Sequence, residues 1–336
     1  MKLARFAGAA LALLLGLGAA TPARLSARDE VRALWIVGTS LTSPQAIDAL
    51  VVAAQQGGFN TLLVQVRERG DAYFLNGLEP RPVTLLSQPA FDPLAETITK
   101  AHARGLAVHA WINVNLVSGT NVPGDRAHIV YRHPEWLMVP RQISDDVAAL
   151  DPAGPEYLGR LTRYARTHAA EVEGVYLSPA TPGAVEYTAS VVRDIVQRYA
   201  VDGVHFDYLR YPNDDFDYSR EALNAFRRST GADQASPERW RQFRVERLTA
   251  LLTELRSVVK GARPAAEVSV DIAPDPVVAS ERHLQDWSAW LNQGLLDVVC
   301  RQAQAGDTTL AAPRVGIGGV ILSVSQLGKA AFSAQF

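Results

Sequence analysis

Short β-branched runs alternate with amphipathic stretches along most of this chain, and that rhythm limits the fold more than composition does. Val31 to Val37 (VRALWIV) reads as a strand, Pro44 to Gln56 as a helix stopped by Gly57 and Gly58, and Thr61 to Arg67 (TLLVQVR) as a second strand. A helix from Pro93 to Arg104, stopped by Gly105, leads to a third strand, Ala107 to Asn113 (AVHAWIN). The rhythm is interrupted and then returns. It gives helix Ala184 to Tyr199, strand Asp202 to Asp207, helix Glu238 to Val259, strand Glu267 to Ile272, helix His283 to Leu291, and strands Leu296 to Val299 and Val315 to Leu322. Strand then helix, repeated this often, implies parallel βαβ units. The expected fold class is α/β, a (β/α)8 TIM-type barrel with its active site at the carboxyl ends of the strands.

The interruption, Leu116 to Pro182, is rich in Pro, Gly and Asp, with one helical piece around Tyr157 to Ala170 and a short strand at Gly174 to Leu177. It reads as a long insertion after the third strand, and long loops in compact domains are usually functional. GIGG, from Gly316 to Gly319, lacks the spacing of a phosphate loop and reads as a strand-end turn.

The first segment, MKLARFAGAALALLLGLGAA, sets Lys2 and Arg5 before an apolar run from Phe6 to Leu17 and then small residues, the layout of a secretory signal peptide. A cut near Ala27 leaves one barrel domain over residues 28–336, exported to the periplasm or secreted, with no stable membrane insertion. It also removes Lys2, Arg5 and Arg24, taking the net charge from −2 to −5. A mildly acidic exported protein is a poor partner for nucleic acid. With 48% hydrophobic and 20% charged residues, the chain has enough apolar material for a sizeable core. The lone Cys300, in the apolar run LLDVVC, excludes an internal disulfide and reads as a buried, inert thiol.

Side chains two apart near a strand's carboxyl end point together into a barrel mouth. By this rule the second strand offers Gln65 and Arg67; the third offers His109, Trp111 and Asn113. The fourth offers His205 and Asp207, and the fifth Ser269 and Asp271. An inward His109 or His205 reads either as a hydrogen-bonded core group or as a catalyst, and Trp111 either as core or as a platform for a sugar ring. Asp207 is the strongest candidate, because it ends its strand beside Tyr208, Arg210 and Tyr211, where Arg210 is expected to keep the carboxylate ionised and oriented, as a nucleophile or a stabiliser of positive charge must be. Asn213, Asp214, Asp215 and Asp217 do not match a calcium-loop spacing and read as a solvated loop. A metal-dependent hydrolase built on His109, His205 and Asp207 ranks low, since the paired HxH strand motif is absent; no metal and no cofactor are expected.

Several longer motifs resemble the glycosyl hydrolase-like 10 family of bacterial exported proteins, related by fold to TIM-barrel glycoside hydrolases. They are RALWI at Arg32, GFNTLLVQVRERGDAYF at Gly58, LEPR at Leu78, DPLAETITKAHARGLAVHAWINV from Asp92, HPEWL at His133, DPAGPEY at Asp151, YLSPATP at Tyr176, and VDGVHFDYLRYP at Val201 followed by FDYS. The resemblance implies hydrolysis of a glycosidic bond in a polysaccharide, with cell-wall peptidoglycan glycan the leading substrate class. It places Asp207 at the family's acidic position, with Arg67, Asp71, His109, Trp111, Asn113, His205, Arg210 and Tyr211 as substrate-binding residues of the mouth. Glycoside hydrolysis generally uses two carboxyl groups; Asp271 leads for the second, followed by Glu79 and Asp71. The chain departs from the family pattern over residues 301–336, where RQAQAGDTTLAAPRVGIGGVIL follows LDVVC and leaves little room to close a barrel. A barrel that binds carbohydrate without cleaving it is therefore the alternative function.

Overall fold

A computed structural model describes residues 31–231, 236–273, 275, 277–301 and 319–323. The expected signal segment, residues 302–318 between the last two strands, and with them most of GIGG, lie outside the described residues.

Among the described residues, seven parallel strands form one curled sheet: β1 (Val31–Ile36), β2 (Thr61–Arg67), β3 (Ala107–Asn113), β6 (Gly203–Asp207), β7 (Glu267–Ile272), β8 (Val298–Arg301) and β9 (Gly319–Ser323). Their order is β8-β7-β6-β3-β2-β1-β9, with β9 parallel to β1. Two short strands, β4 (Leu116–Ser118) and β5 (Val175–Tyr176), pair antiparallel to each other. The helices are α1 (Pro44–Gln56), α2 (Pro93–His102), α3 (Ile129–Arg132), α4 (Ser144–Ala148), α5 (Pro155–Thr167), α6 (Pro182–Arg198), α7 (Arg220–Thr230), α8 (Pro237–Ala262) and α9 (Trp287–Asn292). This is the strand–helix order of a TIM-type barrel.

Capping fixes where the helices begin. Ser43, Asp92, Ser219 and Ser236 each accept a backbone N–H of the first turn of α1, α2, α7 and α8, and Pro follows at once in three of the four. The core lies between the outer face of the sheet and the helices. Val204, Phe206, Val268 and Val270 pack there with Val192, Ile195, Leu252 and Leu255, all buried. Strands buried on both faces are what a parallel sheet covered by helices requires.

The region expected as a loop-like insertion is better built than its composition suggests. Residues 114–181 carry β4, β5 and α3 to α5 around a hydrophobic cluster of their own that includes Val117, Ile129, Leu137, Tyr157, Leu161 and Leu177. Its strands are too short for alternation to show. The expected helix from His283 to Leu291 is corrected: a π-helical turn spans Val278–Arg282, Leu284 has φ 58°, and the helix begins only at Trp287. Helix α7 is an addition to the expected elements: it is short, and its apolar face, Ala222, Leu223, Ala225 and Phe226, packs on Trp240 and Phe243 rather than on the sheet.

Candidate active site at the strand ends

Parallel register stacks the inward side chains in layers. Trp111 stands level with His205, and His205 with Ser269; one layer higher, Asn113 stands level with Asp207. Phe206 pairs with Val270, so Asp271 follows at the level of Asp207 on the next strand, and Asp271 is itself level with Cys300. Lower down, Gly203 is level with His109. A Cβ at Gly203 would lie 2.7 Å from the His109 ring, so the glycine makes room for the imidazole.

The middle layer is an aromatic floor. Trp35 lies 5.4 Å from the rings of both Trp111 and His205. His205 is fully buried, its Nδ1 2.9 Å from Ser269 Oγ and 3.9 Å from Cys300 Sγ. Burial, and then the nearby His109, push the His205 imidazole down to about 3, so it is neutral in any ordinary buffer. Burial, reinforced by the Asp271 and Asp207 carboxylates, holds the Cys300 thiol well above its usual value.

Asp207 sits on this floor, 6% exposed. Trp111 Nε1–H donates to Oδ2 at 3.0 Å, and the backbone N–H of Tyr208 donates to Oδ1 at 2.6 Å. Tyr208 has φ 52°, a left-handed conformation that few non-glycine residues adopt, directly after the carboxylate. Burial raises the Asp207 pKa above the ordinary value; the Tyr208 N–H, Arg210, Trp111 and Arg69 oppose the shift without cancelling it. Trp111 is 7% exposed and points its N–H at the carboxylate.

The expectation that Arg210 holds Asp207 in the ionised form is corrected. Arg210 Nη2 donates to Glu173 Oε1 at 2.5 Å, and its guanidinium lies 4.9 Å from the Tyr208 ring centre. Glu173 comes from the insertion, immediately before β5, and no motif in the sequence pointed to it.

Other residues expected to bind substrate at the mouth are engaged in bonds within the protein. Arg67 is fully buried: Nε and Nη2 donate to the two oxygens of Glu79, each at 2.7 Å, and Nη1 donates to the carbonyls of Asn113 and Val114. Tyr187 also donates to Glu79. This pair therefore ties the β2 loop to the end of β3, with both side chains out of contact with water. His109 lies toward the amino end of the barrel, lining a cavity there with Thr61, Asp202 and Glu267, because side-chain alternation gives a residue's face but not its depth. Tyr211 is fully buried, with its hydroxyl on the Arg244 carbonyl. Asp71 accepts the N–H groups of Glu68 and Arg69, at 2.9 and 3.0 Å, and shapes the turn that carries Arg69 toward Tyr208. Asn113 Nδ2 donates to the Glu68 carbonyl and braces the same turn.

Of the run after β6, Asp214 is exposed, as a solvated loop requires, but Asn213 and Asp217 are buried, which corrects that reading for them. Asp217 is fully buried, its Oδ1 accepting the N–H groups of Val139 and Ser219. Arg244 donates to the carbonyls of Asp214 and Phe216 from behind. Together these bonds clamp the segment between the insertion and α8. Among the described residues, no cluster of three or more His, Cys, Asp or Glu side chains is arranged to hold a metal ion.

The family model described as Glycosyl hydrolase-like 10 matches residues 30–314. The chain belongs to the glycosyl hydrolase-like 10 family. The glycosyl hydrolase DigH of Escherichia coli (strain K12) is 27% identical over 277 residues, covering 74% of this chain and 55% of the relative. The glycosyl hydrolase YngK of Bacillus subtilis (strain 168) is 22% identical over 315 residues, covering 81% and 54%. The chain thus spans about half the length of the curated relatives it matches. Among solved structures, the PgaB (BpsB) glycoside hydrolase domain from Bordetella bronchiseptica aligns with a TM-score of 0.57 at 17% identity, covering 81% of this chain and 74% of that one. A β-galactosidase from the psychrophilic Marinomonas ef1 aligns at 0.52 and 14% identity, covering 82% and 40%. At such identities the likeness shows the fold, that of TIM-barrel glycoside hydrolases.

Proposed function

We propose that this protein hydrolyses glycosidic bonds in a bacterial polysaccharide, with the glycan of cell-wall peptidoglycan as the leading substrate, and that Asp207 is the proton donor. The observation that supports this reading is the setting of Asp207. A carboxyl group at the carboxyl end of a barrel strand, on a floor of indole and neutral imidazole, keeps its proton to higher pH than an exposed aspartate, as a general acid must. Two N–H groups orient it. Asp271, at the same level on the neighbouring strand, is the second carboxyl group that glycoside hydrolysis needs. Glu79 is set aside from that role because Arg67 occupies both of its oxygens. The layout of residues 1–27 supports export to the periplasm or beyond, where such a glycan is met.

The test is to incubate the purified full chain with isolated peptidoglycan and with simple glycans, and to measure new reducing ends across pH. Asp207 is protonated below its raised pKa and loses the proton as pH rises through it. Activity is therefore expected to persist above about pH 3.9, the ordinary aspartate value, and to fall along an alkaline limb. A folded protein that pulls down glycan and releases no ends is a carbohydrate-binding barrel, and that result would overturn the proposal.

A further inference from the structure

The insertion does more than cover the strand ends, because it is bonded to the very backbone that carries Asp207. The N–H of Val114 donates to the Asp207 carbonyl at 2.7 Å and that of Asn115 to the Tyr208 carbonyl at 3.2 Å. Asn115 Nδ2 then donates to the Arg210 carbonyl at 3.1 Å. Leu177, just past β5, returns its N–H to the Asn115 carbonyl. Both strands of the small sheet are thereby registered on the segment from Asp207 to Arg210. Residue 174 is glycine for a steric reason: a Cβ there would collide with the Ser118 carbonyl oxygen of β4. That contact fixes the chain between Glu173 and β5. From there Glu173 Oε1 accepts from Arg210, and its Oε2 accepts from the buried Tyr176 hydroxyl, each at 2.5 Å.

We propose that Glu173 is a positioning residue of the active site: its ion pair with Arg210 fixes the guanidinium against Tyr208 and sets the charge that Asp207 meets at the strand end. Arg210 is gripped at both ends by the insertion, by Asn115 at its carbonyl and by Glu173 at its guanidinium. The remaining groups around it leave Glu173 in control of the local charge. From the segment after β7, His283 lies 3.3 Å from Arg210 Nη1; burial, then Arg210 itself, push its imidazole down to about 4, so it is neutral at working pH. From the insertion, burial alone would raise the Glu173 carboxyl, but Arg210 and the Tyr176 hydroxyl outweigh it and keep Glu173 ionised. From the β2 loop, Arg69 stands 5.9 Å from the Tyr208 ring centre and adds a second positive charge near Asp207. From the sheet, Cys300 is an uncharged thiol and Asp271 is level with Asp207. The Glu173 carboxylate offsets part of the Arg210 charge that Asp207 meets, so Asp207 holds its proton to higher pH; without it, the unpaired guanidinium favours the ionised carboxylate more strongly.

The experiment reads Asp207 directly, through the indole that donates to it. In the full-length protein labelled with nitrogen-15 at tryptophan, the Trp111 Nε1–H resonance, assigned by its loss in Trp111→Phe, reports the ionisation of Asp207. The midpoint of its titration is expected to fall by about 1 pH unit in Glu173→Gln, which keeps an acceptor and loses the charge, and to rise in Arg210→Met. Glu173→Asp is expected to stay near the wild-type midpoint. So is Glu171→Gln, which removes a carboxylate two residues away that pairs with Arg282. Opposite movements in the two charge variants cannot come from general loosening of the fold. An unchanged midpoint in both Glu173→Gln and Arg210→Met, or movement of both in one direction, overturns the proposal. The kinetic arm rests on the glycosidase reading: the alkaline limb of glycan cleavage is expected to move with the indole midpoint. If the wild type cleaves no glycan, that reading fails while the indole midpoints still decide the role of Glu173.

Discussion

Asp207→Asn is expected to lower glycan cleavage by about 10²- to 10⁴-fold and to leave the fold in place. The variant keeps the shape of the side chain and removes the proton that the leaving oxygen would take. Its effect on stability is the sum of two opposed changes. The raised pKa means that the folded state holds the Asp207 proton more tightly than the unfolded chain does. Stability from this group is therefore present at low pH and lost as pH rises through the raised value, so the buried charge destabilises the neutral-pH protein and its removal is a gain. Against that, the amide offers one acceptor where two N–H groups, from Trp111 and Tyr208, converge, and an N–H left unpaired costs about 1–3 kcal/mol. The thermal transition is expected to stay within about 3 °C of wild type, followed by circular dichroism. Loss of activity together with a transition this close to wild type separates a chemical role from a structural one; wild-type turnover would remove Asp207 from the mechanism.

Glu79→Ala is expected to act in the opposite way, through stability first. Glu79 and Arg67 form a two-pronged ion pair out of contact with water, and the same guanidinium ties down the carbonyls of Asn113 and Val114 at the end of β3. Removing the carboxylate leaves a buried, unpaired guanidinium, a change that costs about 3–5 kcal/mol. Urea unfolding would show this as a lower midpoint with little change in slope. Replacing both partners with apolar residues of similar volume, Arg67→Met with Glu79→Leu, is expected to be the milder change, because no charge is stranded. If the single variant unfolds at the wild-type urea concentration, the pair is not what holds the β2 loop against β3.

These two variants separate what the sequence displays from what it hides. Asp207 is legible because it ends a short strand with a polar inward face and is followed by Pro212, so its position depends on neighbours a few residues away. Helices α1, α2 and α8 are legible for a similar reason, since a capping serine or aspartate and the following proline are local signals. Glu173 is not legible. Its partner lies 37 residues on, across the helix α6, and only the antiparallel pairing of two very short strands brings the two together. Arg67 and Glu79 are only 12 residues apart, yet in sequence they read as an inward strand residue and a separate loop carboxylate, both expected at the mouth; burial makes them a pair. His109 shows a third kind of limit. Alternation gives its inward face correctly, but the depth of a side chain in the barrel depends on strand register, which single-strand periodicity does not contain.

The measurement that bears most directly on the proposed activity is cleavage in water enriched in oxygen-18, with the products weighed by mass spectrometry. Hydrolysis of a glycosidic bond breaks the carbon–oxygen bond at the anomeric carbon and adds one water molecule. Each new reducing end released from peptidoglycan glycan by the wild type is therefore expected to carry one oxygen-18 atom, and Asp207→Asn is expected to release almost none. Ends that lack the label, as an elimination would leave them, or no new ends from folded wild-type protein, would contradict a hydrolase at this site.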